Sequence, residues 1–75
     1  MATIDRVLDM VSEITETDRG TLTGSTALGD IPWDSLAVVG FIAAADEAFG
    51  KVLSPGRVAA CATIADLAAV VEQQD

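Results

Sequence analysis

The spacing of apolar residues restricts the fold of this chain more than any other feature of its sequence. In three segments apolar residues recur three or four positions apart, which is the period that buries one side of an α-helix. The first segment contains Ile4, Val7, Leu8, Val11 and Ile14. No segment alternates apolar and polar residues in the manner of a half-buried strand. The sequence therefore predicts an all-α fold.

A long connection separates the first helix, which we expect Thr3 to cap, from the second. Between residues 16 and 33 the helical spacing stops, and Thr, Gly, Ser and Pro residues supply turns instead. Connections of this length are uncommon in compact domains and are often functional. We expect Leu22, Leu28 and Ile31 to hold this one against the core.

Capping residues delimit the other helices. The second helix is predicted to span Ser35–Phe49, with Asp34 or Ser35 as its cap and Gly50 ending it in a left-handed conformation. Ser54-Pro55 then opens a short helix that ends near Cys61.

Thr63 and Asp66 resemble a capping box at the start of a last helix, which continues to about Gln73. A chain of 75 residues is one small domain. We therefore expect residues 1–75 to form a single four-helix bundle, with three longer helices, one short helix and a long first connection.

Composition excludes several classes of function. The formal net charge of −8 repels nucleic acid and favours protein partners with basic patches. The chain contains no histidine, so it lacks the usual base of serine and cysteine hydrolases and the usual metal ligand. The single cysteine, Cys61, is expected to be a small buried hydrophobe. We therefore expect neither catalytic residues nor a metal site.

The sequence also bears on location. Its apolar runs are too short to cross a bilayer as a helix. Residues Met1–Arg6 lack the basic and apolar stretches of a secretory signal. No membrane association and a cytoplasmic location are expected.

The second helix carries two apolar stripes, whereas a surface helix needs one. One stripe consists of Val38, Phe41, Ile42, Ala45 and Phe49, and its two phenylalanines assign it to the core. The other, the partner face, consists of Leu36, Val39, Gly40 and Ala43 and continues into Asp46 and Glu47. We expect the partner face to be exposed and to bind another protein. The alternative is that both stripes are buried in a crowded bundle.

Ser35 stands where this second helix begins. A serine at the start of a helix most often serves as its N-cap. Here, however, an acid precedes it, a leucine of the partner face follows it, and the long connection leads to it. The helix dipole favours negative charge at this end by a few tenths to about 1 kcal/mol, so a phosphate ester on Ser35 would be well placed.

These residues resemble those of the acyl carrier proteins. The motif is Asp34-Ser35-Leu36 at the start of a helix, in an acidic chain of typical length and element order. Leu28-Gly29-Asp30-Ile31 precedes the motif, and Ser54, Thr63-Ile64 and Asp66-Leu67 follow it at family-like distances. The similarity covers nearly the whole chain.

The resemblance implies a non-catalytic carrier. In the family, a phosphopantetheinyl transferase moves 4′-phosphopantetheine from coenzyme A to the serine, here Ser35, and the far end of this arm holds acyl groups as thioesters. Asp34 would help to present Ser35 to the transferase, where a divalent metal assists. The partner face would dock basic patches on the enzymes that load, condense or tailor the acyl group. The carrier is expected to be a monomer.

The chain departs from the pattern of carriers that serve general fatty-acid synthesis. Ala37, Gly40, Ala43 and Ala48 stand where such carriers commonly have acids. This suggests a specialised carrier for polyketide synthesis, hybrid peptide and polyketide synthesis, or acylation of a saccharide. Gly40 is either a point where a partner's backbone approaches or a tolerated surface glycine.

Two other departures concern packing. Trp33 stands where the family often has a small residue, and it either packs against Val38 or lies exposed; we favour packing. Ala27 and Ala45 are small at core-facing positions, which raises the hypothesis of a pocket between helices for a short or branched acyl chain.

Two further functions remain open. An aminoacyl or peptidyl carrier would receive the same modification on Ser35 but would be loaded by an adenylating enzyme. A pure interaction domain of the same shape would use Ser35 only as a cap and would stay unmodified.

Overall fold

The computed structural model describes residues 3–73, which are built around four α-helices. The helices are α1 (Thr3–Thr15), α2 (Ser35–Phe49), α3 (Pro55–Ala59) and α4 (Ile64–Gln73). Within this range the backbone forms no strand, and Ala27 and Thr63 make an isolated antiparallel bridge. The prediction of an all-α fold with three longer helices and one short helix is confirmed. Residues 1, 2, 74 and 75 of the expected single domain lie outside the described range.

The core lies where α1, α2 and α4 meet. α1 packs against both α2 and α4, so the apolar stripes of the three helices face a common interior. The central buried residues are Val7 and Val11 of α1, Phe41 and Ala45 of α2, and Ile64 and Leu67 of α4. The outer members of the predicted stripes are half-buried against this core: Ile4, Ile14, Val38, Ile42 and Phe49. The stripe of α2 with both phenylalanines is therefore the core stripe, as predicted.

Most helix ends follow the predicted local signals. Gly50 ends α2 in the left-handed conformation (φ 66°, ψ 27°), and its N–H donates to the carbonyl of Asp46 at 2.9 Å. Pro55 is the first residue of α3, although Ser54 makes no side-chain capping bond, and α3 ends at Ala59, before Cys61. α1 begins at Thr3 itself, so Thr3 is helical, and the residue before it lies outside the described range.

The start of α4 contains the predicted capping box. The Asp66 carboxylate accepts hydrogen bonds from the N–H groups of Ala62 and Thr63 at 3.0 and 3.1 Å. In return the Asp66 N–H donates to the Thr63 hydroxyl at 3.3 Å. These amide bonds lower the pKa of the Asp66 carboxyl below its ordinary value.

The long connection between α1 and α2 is held in place by its own turns and anchors. Two short 3₁₀ turns, Arg19–Thr21 and Leu28–Asp30, interrupt it. Leu22 and Leu28 are buried and Ile31 is half-buried against the core, which confirms the predicted anchors.

Backbone hydrogen bonds also tie this connection to the start of α4. The carbonyls of Gly24 and Thr26 accept from the first amides of α4, those of Ala65 and Ile64, at 2.8 and 3.2 Å. These bonds satisfy helix-end amides that would otherwise lack a partner. The connection therefore brings the chain to the start of α2 along a defined path.

Candidate functional site

Asp34 caps α2. Its backbone is extended (φ −118°, ψ −173°), and its Oδ1 accepts a hydrogen bond from the N–H of Ala37 at 2.9 Å. Its carbonyl accepts the bond from the Val38 N–H at 3.0 Å that opens the helix. This is the geometry of an N-cap. Of the two caps that the sequence allowed, the structure selects Asp34 rather than Ser35.

Ser35 is the first residue of α2, and its side chain is exposed. Its hydroxyl has no hydrogen-bond partner among residues 3–73. It lies at the positive end of the helix dipole, next to amides of the first turn that face outward. An exposed hydroxyl for the ester bond and a favourable field for its phosphate are what a phosphopantetheine group requires of its attachment residue. The site therefore fits this group.

Most of the partner face is exposed to solvent. Leu36 and Val39 expose 79% and 63% of their surface, and Ala43, Asp46 and Glu47 are also exposed. The alternative that α2 buries both of its apolar stripes is therefore wrong. Whether these residues recognise a partner stays a prediction.

Gly40 departs from the predicted exposed stripe, because it is half-buried beside α1. A Cβ built on Gly40 would lie 3.7 Å from the Cγ2 of Ile14. Ala37, which exposes 5% of its surface, and the half-buried Ala48 lie on the same side of α2. Carriers of general fatty-acid synthesis commonly have acids at four positions where this chain has small residues. Three of these small residues, Ala37, Gly40 and Ala48, are thus partly covered by α1. An acidic side chain there would lose part of its hydration.

Trp33 packs inward, immediately before the cap. It is half-buried, and its ring meets that of Phe41 edge to face, with centroids 5.8 Å apart and planes at 67°. This geometry is favourable for aromatic pairs. The preference for packing over exposure is confirmed, although the aromatic partner is Phe41 and the sequence pointed to Val38. The contact anchors the entry to α2.

An open cleft of about 300 Å³ lies beside the start of α2, between Asp34 and Leu36 on one side and the end of α1 on the other. Glu16, the residue after α1, contributes to its wall. Glu16 is not among the site residues that the sequence predicts. No local signal marks it, because its place in the wall of the cleft depends on how α1 packs beside α2.

A second open cleft, of about 190 Å³, lies between α1 and the other end of α2. Its lining includes Asp9, Glu13 and Ala48. Neither cleft is lined by Ala27 or Ala45. Ala45 is fully buried in the core, and Ala27 is half-buried at the bridge to Thr63. The acyl pocket suggested by these two alanines stays a prediction.

The basic side chains of the protein contact its own groups. Arg19 pairs with Asp9 at 2.7 Å, and the Arg6 guanidinium lies 4.8 Å from the centroid of the Phe49 ring. Lys51 and Arg57 donate to the Val71 carbonyl and the Gln73 side chain at 3.0 and 2.9 Å. These are the four basic residues of the sequence, and none of them lines the cleft beside Ser35.

Cys61 is half-buried, which corrects the expectation of a buried residue. It follows the end of α3 at the surface, where its Sγ donates to the Arg57 carbonyl at 3.3 Å. Burial raises the pKa of the Cys61 thiol above its usual value; nearby Asp66 raises it further and Arg57 opposes both. Residues 3–73 contain no group of three or more His, Cys, Asp and Glu side chains placed to hold a metal ion. No helix within that range is both long enough and apolar enough to span a membrane.

Comparison with known families gives one result. A family model described as a phosphopantetheine attachment site matches residues 5–71. This range includes the whole of α2, with Asp34 and Ser35 at its start. Comparisons with curated proteins and with solved structures give no match.

Proposed function

Since the chain belongs to the family of phosphopantetheine attachment domains, whose members carry a 4′-phosphopantetheine group, we propose that it is an acyl carrier protein with Ser35 as its attachment residue. It holds acyl intermediates and presents them to biosynthetic enzymes. The carrier contributes no catalytic residue of its own. Residues 1–75 act as one carrier domain.

The proposal rests on the different roles of Asp34 and Ser35 at the start of α2. Asp34 Oδ1 caps the helix through the Ala37 amide, so the exposed Ser35 hydroxyl is not needed for helix stability. An interaction domain that used Ser35 only as a cap would show the opposite arrangement. The observation therefore supports attachment at Ser35 and speaks against that alternative.

The attachment step needs little from the carrier itself. Ser35 Oγ forms a bond to the phosphorus of the pantetheine phosphate, the pyrophosphate bond of coenzyme A breaks, and adenosine 3′,5′-bisphosphate leaves. The chain has no histidine, and we assign the base that accepts the serine proton to the transferase. Asp34 caps the first turn of α2 and so fixes the backbone on which the exposed Ser35 hydroxyl is presented. Once bound, the group supplies a thiol on a long flexible arm, where thioesters are held at high local concentration near each partner enzyme.

Partner enzymes would dock on the partner face. Leu36 and Val39 offer exposed apolar area next to Ser35, and Asp46 and Glu47 add negative charge farther along α2. Basic patches on loading, condensing or tailoring enzymes complement this surface. Electrostatic attraction of this kind speeds association without requiring tight binding, which suits a carrier that visits several enzymes.

We further propose that the carrier serves a dedicated pathway, such as polyketide synthesis, rather than general fatty-acid synthesis. Beyond its cap, α2 has acids only at Asp46 and Glu47, near its far end. Ala37 and Gly40 turn toward α1 instead of offering charge to a partner. The intact mass of the protein from its own cells would report the cargo. An aminoacyl or peptidyl cargo would assign loading to an adenylating enzyme instead.

Incubation of the unmodified protein with coenzyme A and a broad-specificity phosphopantetheinyl transferase tests the attachment. We expect the wild type to gain the mass of one phosphopantetheine group and Ser35→Ala to gain none. Ser54→Ala is the matched control, because Ser54 also precedes a helix but lies outside the motif; it should be modified like the wild type. An unmodified wild type, or a modified Ser35→Ala, would overturn the proposal.

A further inference from the structure

The cleft beside Ser35 combines apolar walls with acidic groups. It has a volume of about 300 Å³ and lies between the end of α1, the residues before α2 and the first turn of α2. Its apolar walls are Ile14, Pro32, Leu36 and Ala37, and its acids are Glu16 and Asp34. Asp34 and Leu36 flank Ser35 in the chain, so the cleft lies next to the residue on which the transferase would act.

The charge of the cleft determines which kind of group it can hold. Two carboxylates repel a phosphate or another carboxylate and attract a cation. None of the protein's four basic side chains lines the cleft, and each contacts other groups of the chain. A complementary cation must therefore come from another molecule.

The walls specify the shape of that cation. The aliphatic stem of an arginine or lysine side chain packs on apolar surface while its charged end stays near acidic groups and water. Leu36, with 79% of its surface exposed, and Ile14 and Pro32 offer such a surface. A small hydrated ion would leave these apolar walls unused.

Glu16 is fixed at the rim by the way α1 ends. Its backbone is in the left-handed region (φ 54°), and the next amide, that of Thr17, donates back to the Ser12 carbonyl at 3.1 Å. This is the hydrogen-bond pattern of a helix C-terminus that usually has glycine. The backbone of Glu16 is thus set beside the cleft independently of α2.

We propose that this cleft receives an arginine or lysine side chain of the phosphopantetheinyl transferase, with Glu16 and Asp34 as its acidic partners. The proposal rests on the proposed function and extends the transferase footprint from α2 to the end of α1. Glu16, which lies outside the partner face, becomes a recognition residue.

Steady-state kinetics of the transfer reaction test this role. The protein substrates are the wild type, Glu16→Gln and Glu72→Gln, with coenzyme A and a broad-specificity transferase. Glu72 is the matched control, because it is exposed near the end of α4 and far from Ser35. Its neighbour Val71 accepts a hydrogen bond from Lys51, which follows the opposite end of α2 from Ser35. We expect Glu16→Gln to raise the KM for the carrier roughly two- to fivefold, as loss of one exposed ion pair does, with kcat unchanged. Glu72→Gln should keep the wild-type KM.

Two further measurements extend the test, one at high salt and one with the charge of Glu16 reversed. High salt screens exposed charges, so the KM difference between the wild type and Glu16→Gln should shrink at about 1 M salt. Glu16→Lys should raise the KM further than Glu16→Gln. Circular dichroism of each variant checks that the helices are intact.

A KM for Glu16→Gln equal to that of the wild type, or an equal rise in Glu72→Gln, would overturn the cleft proposal while leaving attachment at Ser35 intact. Failure of the wild type to be modified at all would overturn both. A salt-independent rise would also contradict an ionic contact.

Discussion

The Asp34 side chain holds the Ala37 amide at 2.9 Å, and this bond makes the cap of α2 independent of Ser35. If Ser35 capped the helix, a group esterified to its Oγ would disrupt that cap. Because Asp34 provides the cap instead, the cap remains when the Ser35 hydroxyl is modified. The unmodified and modified proteins are therefore expected to have similarly stable α2 helices.

Replacing Asp34 by alanine should destabilise the protein. The substitution removes the acceptor of the Ala37 amide, and loss of an N-cap lowers the free energy of unfolding by about 1 kcal/mol. Urea denaturation monitored by circular dichroism measures the change.

Asp34→Asn is the control that separates capping from charge. Asparagine is as effective an N-cap as aspartate, so this variant should unfold at nearly the same urea concentration as the wild type. A slower transfer reaction with Asp34→Asn would then report the loss of charge alone. If Asp34→Asn were as unstable as Asp34→Ala, the cap would not be the reason for the loss.

Gly40→Ala should stabilise the protein by about 1 kcal/mol. Glycine in a helix interior is less favourable than alanine by this amount, and the added methyl would meet Ile14 at 3.7 Å, an ordinary contact distance. Thermal unfolding measures the gain. Because the added methyl faces Ile14 of α1, we expect the variant to remain as good a substrate for partner enzymes as the wild type. A less stable variant would show that the α1 and α2 interface has no room for a methyl group.

Gly50→Ala should lower the free energy of unfolding by about 1 to 2 kcal/mol, because residues with a Cβ are strained at φ 66°. Gly29→Ala is the matched control: it lies in the long connection, its added methyl carbon would have no heavy atom within 4 Å, and its φ is not in the left-handed range. Its stability should match or slightly exceed that of the wild type. Equal losses in both variants would argue against backbone strain at Gly50.

Acid should reduce the contribution of Asp66 to the free energy of unfolding. Amide hydrogen bonds hold the pKa of its carboxyl below the ordinary 3.8 in the folded protein. The stabilisation is therefore fully present above pH 3.8 and is lost as the pH falls toward the lower folded value. We expect the difference in unfolding free energy between the wild type and Asp66→Asn to shrink below about pH 4.

Thr63→Ala serves as the control for this pH dependence. The variant loses the Thr63 hydroxyl that accepts from the Asp66 N–H, but it keeps both amides that donate to the carboxylate. It should be less stable at every pH and should retain the acid-dependent loss. Urea denaturation from pH 3 to pH 6 separates the two effects, and a pH-independent difference for Asp66→Asn would contradict this explanation.

Features that depend on one helical turn could be predicted from the sequence. Local chemistry marks two helix ends, at Gly50 and at the capping box of Thr63 and Asp66. In the structure both lie at the positions predicted from the sequence. The core stripe of α2 follows from spacing alone, with Phe41 at its centre.

Features that depend on neighbouring helices could not be predicted in the same way. Spacing grouped Gly40 with Leu36 and Val39, but α1 partly covers Gly40 and leaves the other two exposed. Glu16 occupies a left-handed position that usually signals itself through glycine. The contact between Trp33 and Phe41 likewise requires knowing how the long connection enters α2.

Fragmentation mass spectrometry of the protein isolated from its own cells tests the central proposal, attachment at Ser35, most directly. We predict that the peptide containing Ser35 carries the mass of a phosphopantetheine group, with or without an acyl cargo, and that fragment ions place it on Ser35. A peptide unmodified under every growth condition, or a group located on another residue, would contradict the proposal.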